Sequence, residues 1–590
     1  MTEIRPANRW GMPRTCTKTV ARAAAAAVAV AVGAVAAVSV VAVRDAAAAT
    51  AYYVAPNGND SAAGTQAAPW ASIARAQTAA RAGDTVYLRG GTYAFARANS
   101  GCSSQTARVD AITLNKSGSS GNPIRYWAYP GEKPVFDFSR MTDNCRIKGF
   151  NVTGSYLHLK GLEARGVPQN NSLNAESWGI WVSGGNNSFE LIDTHHHMGT
   201  GLFINGGAGN LVLNSDSHDN YDRNSSDGPG ENADGFGAHY TPAGRPANVF
   251  RGCRAWWNAD DGYDLISTYS PVTIENSWSW RNGYVPGTTT PSGNGAGFKV
   301  GGFGAEYDGG AVKHTVRFSV AFLNKAAGFY SNHHPVANDY FNNTSYGNRP
   351  DFNMLGIDSR GAAVGRGNLR NNIAYTGTLT SNMTGTTGSH NSWDLGLPLS
   401  DSQFQSVSTS GWDAPRQADG SLPLLPHFRL APNSALIDRG TDVGLPYTGR
   451  APDLGAFESG VVPTTPPTTG PPTSPPPTSA PPTTAPPTAT PPSGGCGAAY
   501  RTVNSWSGGY QGEVTVTAGG SAINGWTVGW TVSSGQTITQ VWNGTLNASG
   551  STVSVSNAPY NATLPPSGST TFGFIATGTP PATAFTCTSR

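Results

Sequence analysis

Five segments share one plan. Leu211–Asn220, Val249–Asn258, Val272–Asn282, Val316–Asn324 and Tyr340–Asn348 each run an apolar strand, a bend at Gly, Asn or Ser, a second strand and a closing Asn. The closing residues Asn220, Asn258, Asn282, Asn324 and Asn348 are separated by 38, 24, 42 and 24 positions. A base period near 24 with insertions of varying length marks a solenoid whose coils carry loops. Two strands per coil with Asn at the turn suit a parallel β-helix, because Asn tolerates left-handed backbone and its amide can bond to the equivalent Asn one coil away. An antiparallel sandwich or a propeller is the competing all-β reading; a propeller calls for four strands in a longer period.

The ends of this region fit a solenoid. Trp70 to Ala82 is amphipathic, with Ile73, Ala76 and Ala80 on one face, and Gly83 stops it before Val86-Tyr87-Leu88. Such a short helix caps the first coil and hides its open edge. Ala431–Phe457 reads as a closing wrap over the sheets. Beyond it, residues 459–495 are almost wholly Pro, Thr, Ser, Gly and Ala, and no charge occurs between Glu458 and Arg501. That stretch cannot bury a core and reads as an extended, semi-rigid linker. It separates a domain at 50–458 from one at 496–590. The latter alternates as in Glu513–Thr517 and Thr527–Val532, which predicts a small β-sandwich.

Residues 1–49 read as a secretory signal peptide. Arg5, Arg9, Arg14, Lys18 and Arg22 precede the uncharged run Ala23–Val43, and Ala46–Ala49 supplies small residues for cleavage. The run is long enough to span a bilayer, but its Ala/Val/Gly content favours cleavage over anchoring. Residues 1–49 hold six Lys/Arg and two Asp/Glu, so their removal takes the formal net charge from +2 to −2. A near-neutral secreted chain, expected as an extracellular monomer, argues against nucleic acid and anionic membrane as natural partners. Export permits disulfides. Cys496 and Cys587 bracket the last domain and are expected to pair, Cys102 with Cys145 is plausible, and Cys253 is then a buried free thiol. No C-x-x-C pair occurs, which argues against a zinc or redox site.

Acidic residues are sparse but cluster. Asp234 lies in one segment, and Asp260, Asp261 and Asp264 in another; Asp234 and Asp260 are 26 positions apart, about one coil. Four carboxylates gathered on one face need compensation, and Ca²⁺, which takes six to eight oxygen ligands, supplies it. Lys299 follows Asp264 by 35 positions, one coil plus the Gly/Pro/Thr insertion Tyr284–Asn294. A Lys beside a metal ion has its charged form disfavoured and can act as a base. These parts suit β-elimination of a uronic acid polymer. Three consecutive residues, His195-His196-His197, cannot share one ion from a strand, since neighbours point to opposite faces. Trp256, Trp257, Trp278 and Trp280 can stack on sugars, although core packing is the simpler reading.

The segments ENADGF (231–236), WWNADDGYDL (256–265) and GFKVGG (297–302) resemble family 9 polysaccharide lyases, across about 50–458. The resemblance implies a right-handed β-helix, a calcium-dependent pectate lyase acting on polygalacturonate, calcium ligands at Asp234, Asp260, Asp261 and Asp264, and a catalytic base at Lys299. Ala238-His239-Tyr240 departs from what many family members show. NSWSGGY, INGW, QVWNG and NAPYN, across 496–590, resemble family 2 carbohydrate-binding modules. That likeness implies cellulose or chitin as partner, through exposed aromatics at Trp506, Trp542 and Tyr560, the last replacing a commoner Trp. Trp526 and Trp530 read as core. Two rival functions use the same residues: a β-helix glycoside hydrolase with Asp260 and Asp261 as its carboxylate pair, and a non-catalytic adhesin.

Overall fold

The structure is a computed structural model. It describes residues 49–460 apart from 99–101, 103–106, 171–176, 227, 303–309 and 398, and residues 495–589 apart from 507–508, 533–535, 543, 550, 558–560, 567 and 581–584. The expected signal segment and nearly all of the expected linker therefore lie outside the described residues. The chain divides into two compact units, Met1–Ser474 and Pro475–Arg590. No helix of the described residues is long and apolar enough to cross a membrane.

The first unit is a right-handed parallel β-helix of three sheets, with 12, 10 and 10 strands among the described residues. From Arg146–Val152 to Thr344–Tyr346 the strands follow one another in a fixed order, first the sheet that begins at Arg108–Leu114 (the site sheet), then the 12-stranded long sheet, then the third sheet, and successive coils pair in parallel within each sheet. A coil thus holds three strands rather than the expected two. The additional strand is only two residues long in several coils, as in Tyr263–Asp264, Phe298–Lys299 and Phe329–Tyr330. Two residues carry no readable alternation.

The Asn periodicity is a hydrogen-bonded ladder. Asn220 Nδ2 donates to Asn258 Oδ1 at 2.8 Å, Asn258 to Asn282 at 3.0 Å, Asn282 to Asn324 at 2.9 Å, and Asn324 to Asn348 at 2.9 Å. Asp351 ends it, its Oδ1 accepting from Asn348 Nδ2 at 3.0 Å. The left-handed backbone, however, belongs to the residue before each Asn: Asp219, Trp257, Arg281, Leu323 and Gly347 all have φ between 53° and 65°. Asn is there for its amide, and the turn that aims the amide inward falls on whatever precedes it. A non-Gly residue held left-handed costs about 1–2 kcal/mol, so the ladder's buried hydrogen bonds must outweigh that.

The core is stacked as regularly. Phe236, Tyr263, Phe298, Phe329 and Phe352 lie in register behind the site sheet, with successive ring centroids 5.2, 4.8, 4.9 and 4.8 Å apart. At the N-terminal end the helix Ile73–Ala79 buries Ile73 and Ala76, and its first turn is capped by Ser72, which accepts from Arg75 N. Gln77 Nε2 donates to Thr113 O on the first site-sheet strand, which ties the cap to that edge. The C-terminal wrap begins earlier than expected and covers the third sheet. Trp412, Phe428 and Leu436 close over Trp278, Trp280 and Phe322, so those two tryptophans are core. Arg416 holds the wrap to Asp216 at 2.6 Å.

The second unit has two four-stranded antiparallel sheets, closed by Cys496–Cys587, with Trp526, Trp530, Phe572 and Phe574 in its core. Cys102 pairs with Cys145, and Cys253 is free and buried.

Candidate active site

The stacked aromatic column decides which residues face outward. Each inward ring is followed by one residue on the outer face, so Tyr263 delivers Asp264 and Phe298 delivers Lys299. Asp264 and Lys299 are direct register partners on adjacent coils. A column of glycines precedes the rings. A Cβ on Gly235 would stand 2.7 Å from Gly262 O, one on Gly262 2.6 Å from Gly297 O, and one on Gly297 2.7 Å from Gly328 O. No side chain fits between coils there, which explains the recurring Gly-Phe or Gly-Tyr pair.

That register corrects the expected alignment. Phe236 pairs with Tyr263, so Asp234 is equivalent to Asp261, not to Asp260. Asp261 N donates to Asp234 Oδ1 at 3.3 Å. Asp234, Asp261 and Asp264, all buried, bring ligand oxygens within 4.8 Å of one another. Asp260 is also buried, but its Oδ1 accepts from Asn294 N at 2.5 Å, in the insertion that folds back over the cluster. Ala296 N donates to Asp261 Oδ1, and Thr200 Oγ1 to Asp234 Oδ2.

Lys299 Nζ enters this cluster, 3.0 Å from Asp264 Oδ2 and 3.1 Å from Asp261 Oδ2. Burial disfavours its ammonium, but the carboxylates of Asp261, Asp264, Asp260 and Asp234 more than compensate and hold its pKa well above the usual lysine value. This reverses the lowered pKa that a metal neighbour implies, because in this arrangement the lysine itself is the counter-charge. Burial, reinforced by Asp264 and Asp261, pushes Asp234 well above the carboxylate range; burial, with Asp261 and Asp234, does the same to Asp260. Asp261 is raised, chiefly by burial. Asp264 is the exception: burial raises it, but Lys299 and His239 outweigh burial and draw it below the ordinary range. One ammonium cannot neutralise four buried acids. Asp261 Oδ2 makes no hydrogen bond among the described residues, although Lys299 Nζ stands 3.1 Å away. An all-oxygen donor set with spare negative charge fits a hard divalent cation better than a thiophilic one.

The site lies in a groove. A cavity of about 360 Å³ runs from Lys299 and Asp264 past His239 toward Trp181 and Arg108, and a second of about 590 Å³ continues past Lys299 to Tyr330 and His333. His239, to which sequence reading gave no role, has Nε2 3.5 Å from Asp264 Oδ1. Its position in the departing segment Ala238-His239-Tyr240 was the available signal. The three histidines diverge as expected: His195 faces outward beside Glu163, His196 is left-handed at φ 57°, and His197 is buried, its Nδ1 accepting from Val167 N. Asp193, His195 and His218 also bring ligand atoms together, but the two imidazoles stack in parallel at 4.8 Å, each beside a carboxylate. The side chains of Trp506 and Trp542, and all of Tyr560, lie outside the described residues.

Residues 52–372 match the family described as "Pel9A-like, right handed beta helix region", and residues 496–589 match "Cellulose binding domain". Pectate lyase L of Dickeya chrysanthemi is 39% identical over 413 residues, covering 69% of this chain and 90% of that protein. The crystal structure of pectate lyase Pel9A superposes with a TM-score of 0.59 at 37% identity, over 69% of this chain and 96% of that one. A rhamnogalacturonan lyase superposes with a TM-score of 0.61 at 35% identity, over 65% and 97%.

Proposed function

Because the chain belongs to the Pel9A-like family of β-helical pectate lyases and is a polysaccharide lyase, we propose that it cleaves polygalacturonate by calcium-dependent β-elimination with Lys299 as the base. The observation that carries this reading is Lys299 Nζ within 3.0–3.1 Å of two buried carboxylates, in the wall of an open groove. Asp234, Asp260, Asp261 and Asp264 would hold the Ca²⁺, which would supply a Lewis acid to neutralise the substrate's C6 carboxylate and so acidify its C5 proton. Lys299 keeps its own proton while Asp261 and Asp264 serve as its counter-charges, so it acts as a base only when those carboxylates are otherwise engaged. Neutral Nζ then takes the C5 proton. The electron pair left on C5 forms the C4–C5 double bond as the C4–O bond breaks, and the departing oxygen takes a proton from groove water.

The remaining parts serve targeting. Residues 1–49 direct secretion, 50–458 form the catalytic domain, 459–495 act as a spacer, and 496–590 bind cellulose or chitin through Trp506, Trp542 and Tyr560. The deciding experiment follows ultraviolet absorbance of polygalacturonate with the enzyme. Absorbance should grow with Ca²⁺, stop on addition of chelator, and fall by at least ~10²-fold in Lys299→Ala, as for loss of a general base. Reducing ends that appear without absorbance would instead assign a hydrolase.

A further inference from the structure

Elimination needs a proton donor as well as a base. The oxygen that leaves C4 is a poor leaving group at neutral pH unless a proton reaches it, and a donor fixed in the groove delivers that proton faster than chance water. Tyr330 is the direct register partner of Lys299 on the following coil. Its neighbour Phe329 belongs to the inward ring column, so Tyr330 faces outward with Lys299. Both line the cavity of about 590 Å³, together with Asn332 and His333. Lys299 turns its Nζ back to Asp264 on the preceding coil. The amine and the strand that carries Tyr330 are therefore between one and two coil steps apart, about 5–10 Å. In galacturonate the C5 hydrogen and the C4 oxygen lie on opposite faces of the ring, so base and acid must flank the sugar. A gap of that size takes a sugar ring between them.

The hydroxyl has a second ring beside it. His333 Nδ1 stands 3.4 Å from Tyr330 Oη, and the two rings meet edge to face at 71°. Asn332 and His333 both take left-handed backbone, at φ 49° and 60°. Two successive non-Gly residues in that region are uncommon, and such conformations gather where geometry serves function. Hydrogen bonds to neighbouring coils hold the turn: Asn332 Nδ2 donates to Gly301 O at 2.9 Å, and His333 N to Leu355 O at 2.7 Å. A free phenol titrates near pH 10; burial raises the pKa of Tyr330 further, against the opposing effect of Lys299, so the hydroxyl carries its proton at neutral pH.

We propose that Tyr330 is the general acid of the elimination and that His333 is its positioning residue. This rests on the lyase reading above. As Lys299 takes the C5 proton and the C4–O bond breaks, the bonding pair stays on the departing oxygen, and Tyr330 Oη gives that oxygen its proton. The phenolate then takes a proton from groove water, so water remains the net source and Tyr330 is the route. Lys299 returns the C5 proton to solvent, which restores both groups.

The test varies the leaving group, with the full-length protein and Ca²⁺ present. Tetragalacturonate expels a sugar oxygen, which needs a proton; a trigalacturonate with fluorine in place of the hydroxyl at C4 of its non-reducing end expels fluoride, which needs none. Tyr330→Phe should lower kcat on tetragalacturonate about 10²-fold, as for loss of a general acid, with KM little changed. The same variant should leave release of fluoride nearly at the wild-type rate. His333→Ala should cost up to about tenfold in kcat on tetragalacturonate, as for one lost hydrogen bond, and again spare the fluoride substrate. Tetragalacturonate titrated into Lys299→Ala should bind equally well when Tyr330→Phe is added. An equal loss on both leaving groups, or weaker binding in that titration, makes Tyr330 a sugar contact and overturns the proposal; so does an unchanged kcat in Tyr330→Phe. Each of those results leaves the lyase reading intact. Wild type that forms no unsaturated product from either substrate overturns the lyase reading itself, and the acid with it.

Discussion

At the residue scale, position along the coil decides chemistry more than residue type does. Asp260 and Asp261 are neighbours, yet only Asp261 shares the level of Asp234, because the glycine column fixes which residue precedes each ring. Counting 26 positions from Asp234 lands one residue short. That the acids cluster was legible; which of them stack was not, since a one-residue slip exchanges faces. The neighbouring third sheet shows the same logic in a charge network. His218 Nδ1 lies 2.6 Å from Asp219 Oδ2 and Nε2 3.1 Å from Asp193 Oδ1, with its ring stacked 4.1 Å from Trp256. Burial disfavours the imidazolium, but the two carboxylates more than reverse this and hold its pKa at about 9. A folded pKa above the unfolded value of about 6.5 means the stabilisation is full below that pH and is lost as pH rises through about 9. His218→Gln should therefore melt below wild type at pH 6, by an amount on the order of 3 kcal/mol at most. The gap should close as pH passes 9. Melting curves of both proteins across that range check it; a gap that is constant with pH means the histidine contributes packing alone.

At the scale of the element, the periodic Asn was readable because every coil needs the same amide in the same place. The third strand was not, because parallel pairing along the stack, rather than any local preference, makes Phe298–Lys299 a strand. Nor was the separate aromatic cluster of Trp178, Trp181 and Phe203, since Trp178-Gly179-Ile180-Trp181-Val182 reads simply as a buried strand. The ladder's weight can be measured at Asn282. Its Oδ1 accepts from Asn258 N and Nδ2, each at 3.0 Å, and its Nδ2 donates to Asn324 Oδ1, Ser279 Oγ and Ala255 O. Truncation to Ala strips partners from buried groups on both adjoining coils, at about 1–3 kcal/mol for each group left unsatisfied. Asn282→Ala should thus destabilise the β-helix by about 3 kcal/mol or more. Since solenoid coils hold mainly to their neighbours, hydrogen exchange should quicken first in the coils containing Asn258 and Asn324. Uniform loss of protection across the whole helix would show instead that the coils melt as a single cooperative block.

At the scale of the whole molecule, composition alone marks off a second unit: a Pro/Thr-rich stretch, then a module with three charged residues, Arg501, Glu513 and Arg590. So few charges suit a neutral crystalline glucan, whereas the groove of the first unit is lined by acids together with Lys299, Arg108 and Arg146. On the proposed reading, two units that recognise two wall polymers need no coupling beyond a tether, because the tether converts the second encounter into a local one at raised effective concentration. It follows that damage to cellulose binding should leave chemistry on dissolved substrate alone. On the proposed role of Trp542 as a stacking aromatic, Trp542→Ala should lower retention on cellulose by about a factor of ten, the worth of one such contact. Turnover of soluble polygalacturonate should stay within about twofold of wild type, well inside the tenfold that 1.4 kcal/mol represents, while release of unsaturated product from intact wall material falls. Equal loss on soluble and wall-bound substrate would mean that the second unit acts on the groove itself rather than through proximity.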